Sequence, residues 1–441
     1  MGIPSGSSWC WRAWWSKADR LPYFWNMRNS LFIPLLLATM ARAQDCSIPF
    51  TEPLFGVQVE NGIWYGNATR YNGGTDSLRL NLYKPVGDGQ TDRPLVVLIH
   101  GGGLIEGHRN DFNALCEQLA SYGYAAATIS YRLGYYGNGI LEAPYAYDPS
   151  EFRRAAFRAM QDAKGAIRFL KGRSALDSTS NTSVILLGAS AGAITAMHAA
   201  YLDQPDEKPA SCSTIGQVQH FFNFYPRPDL GGVEGDLNQN GHNASVLGVV
   251  NLFGGVLDTA FIETAQDPAL FSYHQSGDPV VGCGTQQPYW GIGLGMPDQL
   301  PWLHGSCTID QRMQHLGFPG EHYQFHLHTG NEHTVHDPVA VLAEVMPWMR
   351  NLFCSATLGA SDPHPVSFIV APNPADGIVG ITRTESGPFG FDLQDGRGRI
   401  WLQGTSSGQR LDLDLRALPA GPYVLRVIDA AGISVSRVVR E

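Results

Sequence analysis

A serine becomes a nucleophile only where its hydroxyl is held clear of the chain and beside a base. Gly188-Ala189-Ser190-Ala191-Gly192 meets the first need. It follows the apolar run Val184–Leu187 and precedes an alanine-rich helical stretch. A strand, a Gly-x-Ser-x-Gly turn and a helix in that order form the setting of a sharp nucleophile turn. Such a turn strains the serine backbone, so its neighbours must be small. The helix that follows brings its positive end to the hydroxyl. Acyl transfer also needs donors for a tetrahedral oxyanion. His100-Gly101-Gly102-Gly103 closes a second apolar run, Leu95–Ile99. The unobstructed N–H groups of Gly102 and Gly103, with that of Ala191, are the expected donors.

Together these motifs resemble the α/β-hydrolase family in its HGGG-bearing carboxylesterase branch, and are similar to the hormone-sensitive-lipase-like esterases, over residues of about 55–355. Tyr131-Arg132-Leu133-Gly134 and Asp162 within RAMQDAKGAIRFL extend the likeness. It implies that Arg132 and Asp162 form a supporting pair bracing the oxyanion loop, and that the acid and then the base follow the serine in the chain. Phe271 to Val281 ends a strand-like run in a turn that displays Asp278, the expected acid; Asp258 is its main rival, and Asp310 and Asp298 are weaker. Four histidines come next. His326 and His328 alternate within the strand-like QFHLH, whereas His333 lies on the loop before a helix at Pro338–Phe353. His333 is the expected base and His336 the runner-up. Asp278 would then hold His333 in one tautomer while His333 takes the Ser190 proton.

Fifty-five positions separate Asp278 from His333, more than a compact esterase of this branch shows. The segment 283–307 accounts for the excess, and it begins and ends with cysteine. Aromatic loops follow Arg132 and Asp278; Tyr135, Tyr145, Trp290 and Trp302 are candidates for lining an apolar acyl or alcohol pocket. No metal and no cofactor are expected. The histidines contain no HExxH. Asp236-Leu-Asn238-Gln-Asn240-Gly241 begins like a calcium loop, but Leu247 stands where the bidentate glutamate belongs; a polar lid loop is expected there.

Elements must position these residues. Short, mostly apolar runs at Leu95–Ile99, Tyr124–Ile129, Ser183–Leu187, Val246–Phe253 and Gln324–Leu327 alternate with helical stretches at Phe112–Tyr122, Glu151–Lys171 and Ala191–Leu202. Apolar strands separated by helices imply an α/β architecture with a mostly parallel sheet covered on both faces. Beyond a linker at 359–366 the texture changes to seven short strand-like runs with no helical pattern between them, a small all-β sandwich over 367–441. The catalytic domain is therefore expected at 44–358.

From Met27 the chain reads as a signal peptide: Arg28, an apolar core at Leu31–Met40, and Ala41-Arg42-Ala43 before Gln44. Residues 1–26 are read as an upstream misread and 27–43 as the leader, whose apolar core is too short to span a bilayer. Ala371-Pro372-Asn373-Pro374, Asp395-Gly396-Arg397-Gly398, Leu418-Pro419-Ala420-Gly421 and the closing Ser436–Arg440 are similar to the type IX secretion sorting domain of Bacteroidetes exported proteins. That resemblance implies a secreted or cell-surface protein that meets the type IX secretion machinery. A carbohydrate-binding sandwich is the alternative for this region.

Of 441 residues, 44% are hydrophobic and 16% charged, which excludes a disordered chain. The net charge of −10 argues against nucleic acid, whose phosphates need a basic patch. Residues 1–43 hold five of the Lys/Arg, one of the acids and Cys10, so a processed chain carries −14 and six cysteines. That even count is compatible with three disulfides, of which Cys283–Cys307 is the expected one. The expected function is a secreted serine hydrolase acting on small-molecule or polymer carboxylic esters through an acyl-enzyme on Ser190. The alternatives are a serine peptidase or amidase on the same fold, and a catalytically dead surface adhesion protein.

Overall fold

The computed structural model describes residues 46, 48–87, 89–139, 141–293, 295–356, 368–383, 387–395, 399–429 and 432–441. The upstream segment, the leader, the linker and part of the Asp395–Gly398 motif lie outside the described residues.

Eight strands form the central sheet: β1 Gly56–Thr69, β2 Thr75–Val86, β3 Arg93–Ile99, β4 Ala125–Ile129, β5 Thr179–Ala189, β6 Gly248–Leu252, β7 Ala269–Gln275 and β8 Tyr323–His328. Their order across the sheet is β1-β2-β4-β3-β5-β6-β7-β8. The last six are mutually parallel, and β2 runs antiparallel to its neighbours β1 and β4. This is the α/β-hydrolase fold. Every residue of β3 and β4 is buried, as expected of strands covered on both faces. Leu95, Val97 and Ile99 of β3 enter one core with α2 (Pro149–Gly172), α3 (Ala191–Tyr201) and α4 (Ser306–Leu316). Val96 and Leu98 enter the other, with α1 (Asn113–Ser121) and α5 (Pro338–Ala356). The alternation follows from the two-residue period of a strand.

The long hairpin β1–β2 does not stand out in the sequence. Polar and apolar residues mix along β1, much of which is exposed at the sheet edge, so no apolar run marks it. Helix α2 starts where Asp148 accepts a hydrogen bond from Ser150 N–H and Pro149 opens the first turn. Its side chains strap the segment 229–245 to the body. Gln161 donates to Leu230 and Gly232 carbonyls, Arg168 to Glu234 and Leu237, and Lys171 to Asn243 and Ser245. The lid expected at 236–241 is thus a fixed strap. Asn238 and Asn240 spend their amide donors on backbone carbonyls of Tyr65, Gly165 and Arg168.

Disulfides join Cys283 to Cys307 and Cys46 to Cys354. Among the described residues a third is not formed. Cys116 and Cys212 are both buried, but in the two different cores on opposite sides of the sheet. Burial pushes the Cys212 thiol up to about 11 and raises that of Cys116 as well, so neither is a ready thiolate.

The two sheets of the C-terminal region are antiparallel. Strands β9 Phe368–Ala371, β10 Ile378–Arg383, β11 Phe389–Asp395, β12 Ile400–Ser406, β13 Arg410–Asp414, β14 Gly421–Asp429 and β15 Gly432–Arg440 form two sheets, β9-β10-β13 and β12-β11-β14-β15. Tyr423, Leu425 and Val427 alternate inward on β14 and meet Val379, Ile381 and Leu413 in a core of their own. Among the described residues no helix is long and apolar enough to cross a membrane.

Candidate active site

The turn between β5 and α3 carries Ser190 at φ 55° and ψ −124°, a backbone conformation strained for serine. Two close approaches explain the flanking glycines. A Cβ on Gly188 would lie 2.3 Å from the Gly192 carbonyl oxygen, and one on Gly192 would lie 2.0 Å from that of Ile99. The turn is therefore compressed against the end of β3, where the His100–Gly103 loop begins. Ser190 N–H donates to Leu252 O on β6, fixing the turn from its other side.

Ser190 Oγ lies 2.7 Å from His333 Nε2, and His333 Nδ1 lies 2.7 Å from Asp278 Oδ2. A carboxylate only accepts, so Nδ1 carries the proton and Nε2 is free to accept from the serine hydroxyl. Asp278 is fully buried; its Oδ1 accepts the N–H groups of Val280 and Val281. His333 retains partial exposure, and the Phe253 ring meets its imidazole edge-on at 4.9 Å between centroids. The structure thus brings Ser190, Asp278 and His333 together and keeps the rivals apart. Asp258 caps the short helix Thr259–Phe261. Asp310 accepts from Tyr323 and Gln314, and Asp298 sits in a short helical turn at Pro297–Gln299. His336 stacks on His328 and bonds Tyr273 Oη, and His326 pairs with Glu344.

Gly101 approaches the serine directly: a Cβ there would stand 3.3 Å from Ser190 Cβ. Among the described residues no backbone acceptor takes the N–H of Gly102, Gly103 or Ala191. The loop is shaped by the Gly102 carbonyl, which accepts from both Ile105 and Glu106. Arg132 and Asp162 form a buried pair: Arg132 N–H and Nε both donate to the carboxylate, at 2.7 and 2.9 Å. The pair fixes the chain after β4, whose neighbours touch the loop. Tyr131 donates from Oη to His100 O at 2.8 Å and stacks on the His100 ring, and Gly134 N–H donates to Leu104 O at 2.7 Å.

Several supporting residues have no motif in the sequence. Gln275, the last residue of β7, donates to Thr334 O and accepts from Glu332 N–H, gripping the chain on both sides of His333. His274 is buried, and burial lowers its pKa, so it is neutral. Its Nε2–H donates to Val281 O beyond the acid, and its Nδ1 accepts from Ser306 Oγ. A signal for both exists in YHQSGD, a run of polar residues closing an apolar strand. Tyr289 sits within the disulfide-closed segment at φ 64°, and its Oη lies 2.6 Å from where a Gly103 Cβ would be. Of the pocket candidates, Tyr135 is buried in the α2-side core. Trp302 is exposed, and Trp290 spends its indole N–H on Asp278 O. Tyr145 is partly buried.

Residues 80–286 match the BD-FAE family model. No curated protein matches the chain. Among solved structures, the propionate-bound esterase 2 of the planctomycete Thermogutta terrifontis is 17% identical, covers 70% of this chain and 97% of its own, and has a TM-score of 0.40. A truncated carbohydrate esterase from gut microbiota is 14% identical, with 70% and 98% coverage and a TM-score of 0.41. Esterase B of Lactobacillus rhamnosis, inhibited by a tributyrin phosphonate, is 16% identical, with 71% and 92% coverage and a TM-score of 0.41. Groups of three or more residues able to hold a metal ion are absent among the described residues.

Proposed function

We propose that the protein is a secreted serine hydrolase that cleaves carboxylic esters through an acyl-enzyme on Ser190. One observation carries this reading: the unbroken relay from Ser190 Oγ through His333 to the buried Asp278, with both hydrogen bonds at 2.7 Å. His333 Nε2 accepts the serine proton as Oγ bonds to the ester carbonyl carbon. The carbonyl oxygen gains the negative charge and turns to the N–H groups of Gly102, Gly103 and Ala191. As the tetrahedral species collapses, the C–O bond to the alcohol breaks and His333 returns the proton to the leaving oxygen. Water then repeats the sequence, releases the acid and restores Ser190. Asp278 holds the imidazole tautomer and stabilises its cation. The BD-FAE match over 80–286 and the esterases among the solved structures agree in kind with this chemistry. The leader at 27–43 and the C-terminal sandwich, read as a type IX sorting domain, are the basis for export.

The test is hydrolysis of p-nitrophenyl esters together with labelling by a fluorophosphonate. The processed protein should do both. Ser190→Ala should lose labelling and about 10⁴-fold or more of kcat. Undiminished turnover by that variant would refute the assignment.

A further inference from the structure

A second polar constellation lies apart from the triad. A cavity of about 590 Å³ opens between α2, the end of β1 and the segment 226–237; Ser190, Asp278 and His333 are not in its walls. Its lining includes five guanidinium groups, those of Arg70, Arg132, Arg154, Arg158 and Arg227, beside the carboxylates of Glu151, Asp229 and Asp236. Three are matched by carboxylates, Arg70 by Asp76. Arg132 pairs with Asp162, and Arg227 pairs with Asp148 at 2.9 Å and stands 3.5 Å from Glu151. Arg154 and Arg158, one turn apart on α2 and each 3% exposed, form no ion pair among the described residues.

The two differ in what their donors meet. Arg154 is consumed by the protein, donating to the carbonyls of Ser211, Ser213 and Pro228. Arg158 donates to a single protein acceptor, Gly134 O at 3.0 Å. A guanidinium carries five N–H donors and no acceptor, so most of the Arg158 fork is left for something else. Burying a cation without a partner costs several kcal/mol, by the order of magnitude found for buried ions. Consistently, burial first and the Arg132 charge second push Arg158 down to about 10. Beside it Glu151 keeps Oε1 buried and without a hydrogen-bond partner, while Oε2 accepts Tyr136 N–H. Burial raises the Glu151 carboxyl, against the opposing pull of Tyr136 N–H and of the Arg158 and Arg227 charges.

We propose that this cavity is an anion-binding site in which the Arg158 guanidinium fork takes a carboxylate or another small oxyanion. The planar fork matches two oxygens at once, and among the described residues no carboxylate is bonded directly to it, although the Glu151 charge lies near. The mouth is open to solvent, since the Asp229 side chain on its rim is 50% exposed. The volume leaves room for the body of a small organic acid beyond its charged end, and the Tyr136 ring lies in the wall. Occupancy would bear on the oxyanion loop, because the carbonyl held by Arg158 belongs to Gly134, whose N–H holds Leu104.

The experiment uses the full processed chain and reads melting temperature against acetate, sulfate and phosphate, each compared with chloride at matched ionic strength. The wild type should show a saturable rise of about 2 °C or more at 100 mM. Arg158→Gln should lose the saturable part, and Arg158→Lys, which keeps the charge but not the fork, should lose most of it. The acetate and sulfate arms tell whether a planar or a tetrahedral oxyanion is preferred. If Arg158→Gln does not fold, wild-type protein treated with phenylglyoxal gives the answer by mass spectrometry: anion should slow modification of Arg158 and leave the exposed Arg416 unaffected. The same saturable rise in Arg158→Gln, or modification of Arg158 indifferent to anion, overturns the proposal.

Discussion

Gln275 shows how little of a relay's geometry resides in the relay. It bonds the backbone at 332 and at 334 and so fixes the residue between them. Gln275→Leu should lower kcat on p-nitrophenyl esters about 10- to 100-fold while KM changes little, because near-attack geometry rather than binding is lost. Gln275→Glu, which keeps the acceptor for Glu332 N–H, should fall between; a change confined to KM would count against a positioning role. Tyr289 and Gly103 allow a second test. Gly103→Ala drives a methyl into Tyr289 Oη at a left-handed φ of 61° and should cost about 10²-fold in kcat/KM. Removing the hydroxyl makes room, so Gly103→Ala/Tyr289→Phe should recover part of the loss; strictly additive losses would mean that the tyrosine does not press on the loop. The chemistry-bearing residues are legible in the sequence because their types and order are constrained by the reaction. Gln275 and His274 are not, because a hydrogen bond to a backbone carbonyl asks only for a donor at the right place, and many residues supply one.

Among the elements, the apolar parallel strands and their helices are legible because burial on both faces leaves an unbroken signature. The β1–β2 hairpin and α4 escape because each has one solvated side or little apolar contrast. Helix α3 carries a liability of its own. His198 is buried within it, with Nδ1–H donating to Ile194 O and Nε2 accepting from Leu257 N–H, so both nitrogens are satisfied only when the ring is neutral. Burial pushes its pKa from 6.5 down to about 4. The unfolded chain therefore takes up a proton near pH 6.5 that the folded chain refuses until about pH 4. The stabilisation is fully present above the higher value and is lost as pH falls between the two, by up to about 3 kcal/mol. Urea unfolding from pH 7 to 4 should show this steep limb in the wild type and a shallower one in His198→Gln; parallel limbs would assign the acid sensitivity elsewhere.

At the scale of the whole molecule, the disulfide Cys46–Cys354 closes a loop across a sequence separation of 308. Its pairing was open in the sequence, since six cysteines allow about 15 arrangements and only the short 283–307 segment suggests its own closure. Closing so long a loop removes much entropy from the unfolded chain. Cys354→Ser should cost about 3–5 kcal/mol by that argument, read as a lower urea midpoint; an unchanged midpoint would mean that the ends are held by packing alone. The same link decides how the catalytic unit bears load. A pull applied between the segment before Cys46 and the tail beyond Ala356 travels along the backbone to two sulfurs and across the bond between them. The eight-stranded sheet lies outside that line of tension, so the α/β unit would stay folded under forces sufficient to unravel the strands at the C-terminal end.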